Sequence, residues 1–379
     1  MVEAEKATWF LGITCHIQLF SLVVFVWLSS ETLSQQESND TAAKKNAVKT
    51  LEKAMASVRQ AYAGELRKLS ESVAVENWYS SLAGWPQPKD AWLVAEFPFD
   101  KPPLTTPPLT TPPRTTPLTT LANLARPDRP GMMEGGDVTF VSDGNRKAVL
   151  LDGENSLVFP QSGIFSRTQE FTICLELKVP EQLDRAVVLH RTQSRIAGGF
   201  IGYELLIEKG HFSFGLIHDE PSNAIRIRCK DPVPVAKWMH VALVYGGTNS
   251  AKNTCIYIDG HRSEVDILQD SLQNDFLCQS TDVLLSIGAR NKDQGLVGGL
   301  VAQLQVYESA LTGIEIAGMV TDTPLVTWGE LSEQQRELWR EHYARREDAQ
   351  CRYHVESFLH YFKSLSAIVD EPNSRNREK

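Results

Sequence analysis

Between Val138 and Val320 the chain is written as short runs of alternating apolar residues separated by turn residues, and this pattern restricts the fold more than any other feature. In EFTICLELKV, Glu170 to Val179, the side chains of Phe171, Ile173, Leu175, Leu177 and Val179 fall on one face, because successive residues of a strand point to opposite sides. Tyr203 to Ile207 and His211 to Ile217 flank Lys209–Gly210, which reads as a hairpin turn. Ile225 to Arg228, Met239 to Tyr245 and Thr254 to Ile258 follow, and Asp259–Gly260 is a strong hairpin signal leading into Glu264 to Leu268. Asp282 to Ile287 and Leu300 to Tyr307 complete the series. Short strands at this spacing predict an antiparallel β-sandwich, and no Gly-rich phosphate loop interrupts them.

Helical text flanks the strands. From Ala47 to about Ser81, Leu51, Met55, Val58, Tyr62, Leu66, Leu69 and Val73 recur at three- and four-residue spacing. Trp85–Pro86 with Pro88 ends the segment, since proline cannot continue a helix. After Leu331, Ser332 and Gln335 form a capping box, and Phe358, Phe362, Leu365 and Val369 make an apolar stripe. The repeat KPPLTTPPLTTPPRTTPLTT, residues 101–120, cannot pack a core and favours extended polyproline II. At the N-terminus, Ala7 to Ser29 is an uncharged, mostly apolar run long enough to span a bilayer. The expected organisation is a signal peptide or membrane anchor at 1–30, a linker and amphipathic helix at 31–84, a sandwich at 91–319 carrying the proline-rich insertion 101–120, and a C-terminal helical segment at 328–371. The expected location is extracytoplasmic, membrane-anchored or secreted.

Charge and cysteine content exclude several classes. Thirty-eight Lys and Arg stand against 47 Asp and Glu, a net charge of −9 with a pI near 5.6. That balance argues against a nucleic-acid partner. Six cysteines, with no Cys-x-x-Cys pair, remove zinc ribbons, thioredoxin-like motifs and covalent haem attachment. Cys174, Cys229, Cys255 and Cys278 fall in the strand region, where one disulfide would be compatible with an oxidising compartment.

Two passages, KWMHVALVYGG…CIYIDGH at 237–261 and IGARNKDQGLVGGLVAQLQVYESALTGIEI at 287–316, resemble the laminin-G-like branch of the concanavalin A-like lectin/glucanase superfamily. WLVAEFPFD at 92–100 is similar to that family's opening strand and AVLLDGENSLVFP at 148–160 to its second. The resemblance implies a mainly β, jelly-roll sandwich flanked by helices. A narrower likeness, in GYELLIEKGHFSFGLIH, SNAIRIR, PVPVAKWMHVAL and GARNKDQGLVGGL, is to the laminin-G-like module of planctomycete-type multidomain surface proteins. The helical ELWREHYARREDAQCRYHVESFLHYF resembles the stretch that follows it there. Those proteins also carry a Cys-x-x-Cys-His haem motif that this chain lacks, so redox activity is not carried over.

The resemblance implies a non-catalytic binding module that recognises carbohydrate or protein through loops at the sandwich rim, where a rigid scaffold usually presents its contacts. The candidate contacts are His218, Asp219, Asn223 and Arg226 around one strand end, with neighbouring Glu220, and Arg290 and Asp293, with neighbouring Lys292, in the later loop. Trp238 lies in an alternating strand and is expected as a core anchor. No cofactor is expected. Calcium, which takes six to eight oxygen ligands, is considered only through the scattered Asp143, Asn145, Asp219, Glu220 and Asp293. One alternative is a structural subunit of a surface complex that docks partner helices through 47–81 and 332–370. The other is a glycoside hydrolase: EVDILQD, 264–270, resembles the Glu-x-Asp-x-x-Glu strand of laminarinase-like enzymes. Glu264 and Asp266 match, but Gln269 stands at the acid/base position, and an amide cannot shuttle the required proton.

Overall fold

The computed structural model describes residues 41–370 apart from 71, 101–103, 107–117, 137, 196–198, 279 and 281. The apolar run at 7–29 therefore lies outside the described residues. No helix among those described is long and apolar enough to cross a membrane. Two compact units are present: residues 65–352, and the described residues up to Gly64 together with those from Tyr353 on.

The larger unit is built from β1 (Leu93–Pro98), β2 (Leu104–Thr106), β3 (Leu118–Leu121), β4 (Gly131–Glu134), β5 (Thr139–Asp143), β6 (Arg146–Asp152), β7 (Ser156–Phe159), β8 (Glu170–Lys178) and β9 (Arg185–Ser194). The chain continues through β10 (Phe200–Glu208), β11 (His211–Asp219), β12 (Asn223–Cys229), β13 (Trp238–Gly246), β14 (Thr254–Ile258), β15 (His261–Arg262), β16 (Val265–Asp270), β17 (Leu285–Ile287) and β18 (Val297–Tyr307). They form two antiparallel sheets. One runs β15-β14-β13-β8-β18-β6-β5, with β1 also on β18; the other runs β16-β12-β11-β10-β9-β17-β7-β4-β3-β2. The result is a concanavalin A-like sandwich, the fold that the sequence predicts.

Alternation fixes what fills it. Phe171, Ile173, Leu175, Leu177 and Val179 all turn inward, as the period-two pattern requires. They meet Tyr203, Leu205 and Ile207 of β10 and Phe212, Phe214 and Leu216 of β11 from the facing sheet. Each such side chain contributes about 1.5–3 kcal/mol when fully buried. Several expectations need correction. AVLLDGENSLVFP is two strands, not one: Asp152 turns the chain by accepting from the amides of Glu154 and Asn155, and β6 and β7 end up in different sheets. Trp238 is not a core anchor. It occupies an outward position between inward Met239 and the turn, where its indole N–H donates to Asp143 and the Arg146 guanidinium lies over its ring. Two ends of the proline-rich segment pair as β2 and β3, so they are strands rather than polyproline II; 107–117 lies outside the described residues. All five described cysteines are buried and unbridged.

Helices of the same unit pack together over part of the outer face of the β8-containing sheet. These are α2 (Ala74–Ser80), α3 (Gly313–Val320) and α4 (Glu333–Arg346); α1 (Thr41–Ser70) and α5 (Ala349–Asp370) complete the set. Cys174, Val244, Tyr257 and Tyr307 from the sheet pack against Leu311 and Ile316. Thr312 caps α3 in a capping box, and the predicted Ser332/Gln335 box caps α4. Arg346 of α4 ion-pairs with buried Glu315 of α3 at 2.8 Å, while Trp339 packs among Trp78, Tyr79 and Trp85. In the second unit Leu51, Met55 and Val58 of α1 pack with Tyr361, Phe358, Phe362 and Leu365 of α5. Ile368 joins that cluster in place of the predicted Val369, which is exposed.

Candidate functional site

The outer face of the β9–β12 sheet carries a connected network of charged side chains. Register sets it in rows. Glu204 of β10 lies opposite Gly215 of β11, which lies opposite Arg226 of β12. Because Gly215 has no side chain, the Arg226 guanidinium lies across it, 3.0 Å from where a Cβ would stand, and reaches Glu204 at 2.5 Å. On the other carboxylate oxygen Glu204 receives Arg290, whose second nitrogen holds Asp293 at 2.5 Å. Asp293 also receives Arg185 of β9 at 2.9 Å, and Arg185 in turn meets Glu208 at 3.2 Å. Glu220 caps the far end, accepting from Arg226 at 2.7 Å.

The centre of the network is almost dry: the side chains of Glu204 and Arg290 are 3% and 4% exposed. Burial alone would push the Glu204 carboxyl up, but the guanidiniums of Arg226 and Arg290 more than reverse it, and Glu204 is held below the ordinary carboxylate value. Asp293 behaves likewise. Burial raises it, and hydrogen bonds from Arg185 and Arg290 bring it well below its usual range. Both are firmly ionised and fully engaged, so the middle of this face is filled by charges that satisfy one another.

Beside the network opens a cavity of about 800 Å³. Its floor is His190, Ser156, Ser286 and Ala289, from β9, β7, β17 and the loop after β17. Phe200 lines one side, with the Arg290 guanidinium 3.9 Å from its ring centre. The rim carries Gln193, Asn291, Lys292, Glu134, Glu154 and Asp282. The partners of His190 set the tautomer of its neutral ring. Its Nε2 can only donate to the Ala289 carbonyl, at 3.1 Å, which leaves Nδ1 to accept from the Thr192 hydroxyl at 3.0 Å. Burial, helped by Arg290, lowers its pKa to about 4.

The structure brings together three of the six sequence-predicted contacts. Arg226, Arg290 and Asp293 belong to one network, and Arg290, Asp293 and Lys292 line the cavity. His218, Asp219 and Asn223 do not. The Nδ1 of His218 pairs with the Asp275 carbonyl at 2.6 Å, Asp219 accepts from Ser222, and the Asn223 carbonyl accepts from the amides of Gln273 and Asn274. They lock the loop that follows β16 against the β11–β12 turn. The sequence reading missed Arg185, His190, Thr192, Phe200 and Glu204. Glu204 had a signal: YELLIE sets Glu204 and Glu208 opposite core-facing Tyr203, Leu205 and Ile207.

The hydrolase strand is elsewhere. β16 is the outermost strand of its sheet; Glu264, just before it, is exposed and pairs with Lys230 at 3.1 Å, while Asp266 is exposed opposite Arg228. Gln269 donates to the Pro221 carbonyl and to Ser271, and none of the three lines the cavity. The calcium candidates fit a metal poorly. Asp143 holds Lys178 and Trp238, Asp293 holds two guanidiniums, and Glu220 holds Arg226. Among the described residues no three His, Cys, Asp or Glu side chains gather as a metal site would require.

No curated protein matches the chain by sequence. Among solved structures it is similar to domain 4 of an extracellular arabinanase from Geobacillus stearothermophilus, in complex with arabinotriose (17% identity, TM-score 0.40, 61% of this chain and 98% of that one). It is also similar to botulinum neurotoxin type C, whose cell entry depends on two ganglioside molecules (12%, 0.41, 61% and 51%), and to a Trypanosoma rangeli sialidase (14%, 0.39, 72% and 39%). The family model Laminin_G_3, of the concanavalin A-like lectin/glucanases superfamily, matches residues 151–317, the stretch that contains β8 to β18 and every residue of the Arg–Glu network.

Proposed function

We propose that this chain is a non-catalytic, extracytoplasmic binding module that holds a saccharide in the cavity beside Arg290. The observation that carries the reading is the cavity itself: a floor of Ser156, Ser286 and His190, an aromatic side wall at Phe200, and amide side chains at Gln193 and Asn291 on the rim. Such a lining offers hydrogen bonds to hydroxyls and one apolar face to a ring. A volume of about 800 Å³ is also that of a small-ligand site, whereas a protein partner needs roughly 800 Å² of open surface. A catalytic reading is disfavoured because the buried titratable groups are already committed to one another or to fixed partners. Glu204 and Asp293 are each held by two guanidiniums, and both His190 nitrogens are engaged. The apolar run at 7–29 supports export, and the likeness to planctomycete-type surface modules fits that setting. The α1–α5 unit, with an apolar core of its own, suits an additional role in assembly.

A glycan array on the full chain, followed by calorimetry, tests the proposal. Gln193→Ala combined with Asn291→Ala removes two exposed rim amides and should weaken binding of the best glycan about tenfold, as loss of two hydrogen bonds worth roughly 0.5–1.5 kcal/mol each would. The melting temperature should not move. Undiminished binding in this variant, or reducing ends released from the bound glycan, would defeat the reading.

A further inference from the structure

We propose that the cavity selects saccharides that carry a primary amine over their neutral, N-acylated counterparts and over acidic ones. The inference rests on the saccharide reading above and adds the charge of the ligand. Glu134 at the end of β4, Glu154 in the β6–β7 turn and Asp282 before β17 come from three separate elements, yet all line one cavity. Among the described residues none of the three has an ion-pair partner, and all three are exposed. The cations nearby do not offset them. Arg290 is held by Glu204 and Asp293, Arg185 by Asp293 and Glu208, and Arg226 by Glu204 and Glu220. Lys292 is the one lining cation outside that network. Three unpaired carboxylates against one ammonium leave the cavity mouth negative, and a concave wall of low dielectric focuses that field.

Two observations identify what would answer it. No three carboxylate, imidazole or thiol groups among the described residues are gathered tightly enough for a metal ion, so the charge is spread around the mouth instead of concentrated at one point. The floor is hydroxyl, imidazole and carbonyl, which suits a polyol, and Phe200 gives the face of a sugar ring one apolar wall. A sugar ring with an ammonium substituent satisfies both halves of the site. Uronates, sulfated sugars and sialosides would bring like charge to the same mouth.

The test uses the full chain and two chemically matched probes, the β-1,4-glucosamine tetramer and its fully N-acetylated form. Calorimetry near pH 6 keeps the amines protonated, and a galacturonate tetramer serves as the anionic probe. The amine probe should bind about tenfold more tightly than the acetylated one at low salt, from two or three exposed ion pairs of modest strength, and the ratio should shrink as salt screens them. Glu154→Gln combined with Asp282→Asn should bring the ratio near one, through loss of the amine probe's advantage. Asp322→Asn, an exposed carboxylate on the loop after α3, should leave the ratio intact and so exclude a general attraction to an acidic protein. Equal or tighter binding of the acetylated or the galacturonate probe, or a ratio unmoved by the double variant, overturns the amine inference while the saccharide reading stands. Failure of every array glycan and all three probes to bind overturns both.

Discussion

His240 offers a measurement of how the sandwich answers acid. It lies on the outward side of β13, 6% exposed, and among the described residues neither ring nitrogen has a hydrogen-bond partner. Burial lowers its pKa from 6.5 to about 4, against the opposing pull of Asp259. Between those two values the unfolded chain binds a proton that the folded chain refuses. Stability from this group is therefore complete above pH 6.5 and lost as the pH falls from there towards 4. At pH 5 the loss relative to pH 8 is about 2 kcal/mol for one such histidine. His190 and His342 are lowered to about 4 in the same direction, so the three together remove about 6 kcal/mol, a large part of a typical domain's stability. Replacing His240 by Gln or by Leu should reduce that acid loss by about 2 kcal/mol, since neither side chain titrates. At pH 8 the Leu variant should in addition gain about 1 kcal/mol over the Gln variant, because it buries no unpaired polar atoms. Urea-unfolding midpoints at pH 8 and pH 5 measure both quantities. An acid loss in both variants equal to that of the parent, within about 0.5 kcal/mol, would refute the assignment of His240 as an unpartnered neutral ring.

Two further substitutions test the frame around the site. Glu204→Gln leaves Arg226 and Arg290 buried against a neutral amide and should cost about 3–5 kcal/mol in unfolding free energy, read as a lowered urea midpoint with an unchanged slope; a loss below about 1 kcal/mol would mean the guanidiniums are solvated. Trp339→Ala removes the ring at the centre of the Trp78, Tyr79 and Trp85 cluster and should cost about 3–5 kcal/mol, with loss of near-ultraviolet circular dichroism, and an unchanged melting curve would mean the helical layer does not fold with the sandwich.

Much of the fold could be read because its signal is local. EFTICLELKV alternates without a break, and its inward residues are those of the core. The Ser332/Gln335 box caps the helix it announces, and Asp259–Gly260 is a hairpin turn, although it leads only into the two-residue β15: the return strand expected at 264–268 crosses to the other sheet as β16 on β12. What failed locally was β9. RAVVLHRTQS contains a bulge where Leu205 pairs with Leu189 but Leu206 pairs with Val187, so the period of two is interrupted at Val188. Beside the bulge the outward Val187 is itself apolar and buried, which blurs the polar half of the alternation there. A strand with neither period nor contrast does not stand out in a sequence.

That one gap accounts for much of what was missed at the site. Arg185, His190 and Thr192 all lie on β9, and β9 is the strand that joins the β10–β12 side of the network to β17 and the loop carrying Arg290 and Asp293. Without it, Arg226 and Arg290 are two isolated cations 64 positions apart, and His218, Asp219 and Asn223 look like their natural companions because they are close in sequence. With β9 in place the geometry reverses the grouping. Glu204 is shared by both arginines, and Arg226 reaches it across Gly215, whereas His218, Asp219 and Asn223 turn to backbone and loop partners nearby. Proximity along the chain selected the loop lock, and proximity across the sheet selects the cavity wall. In a sandwich, where hydrogen-bonded neighbours are routinely tens of residues apart, the second kind of proximity decides which polar groups can meet a ligand.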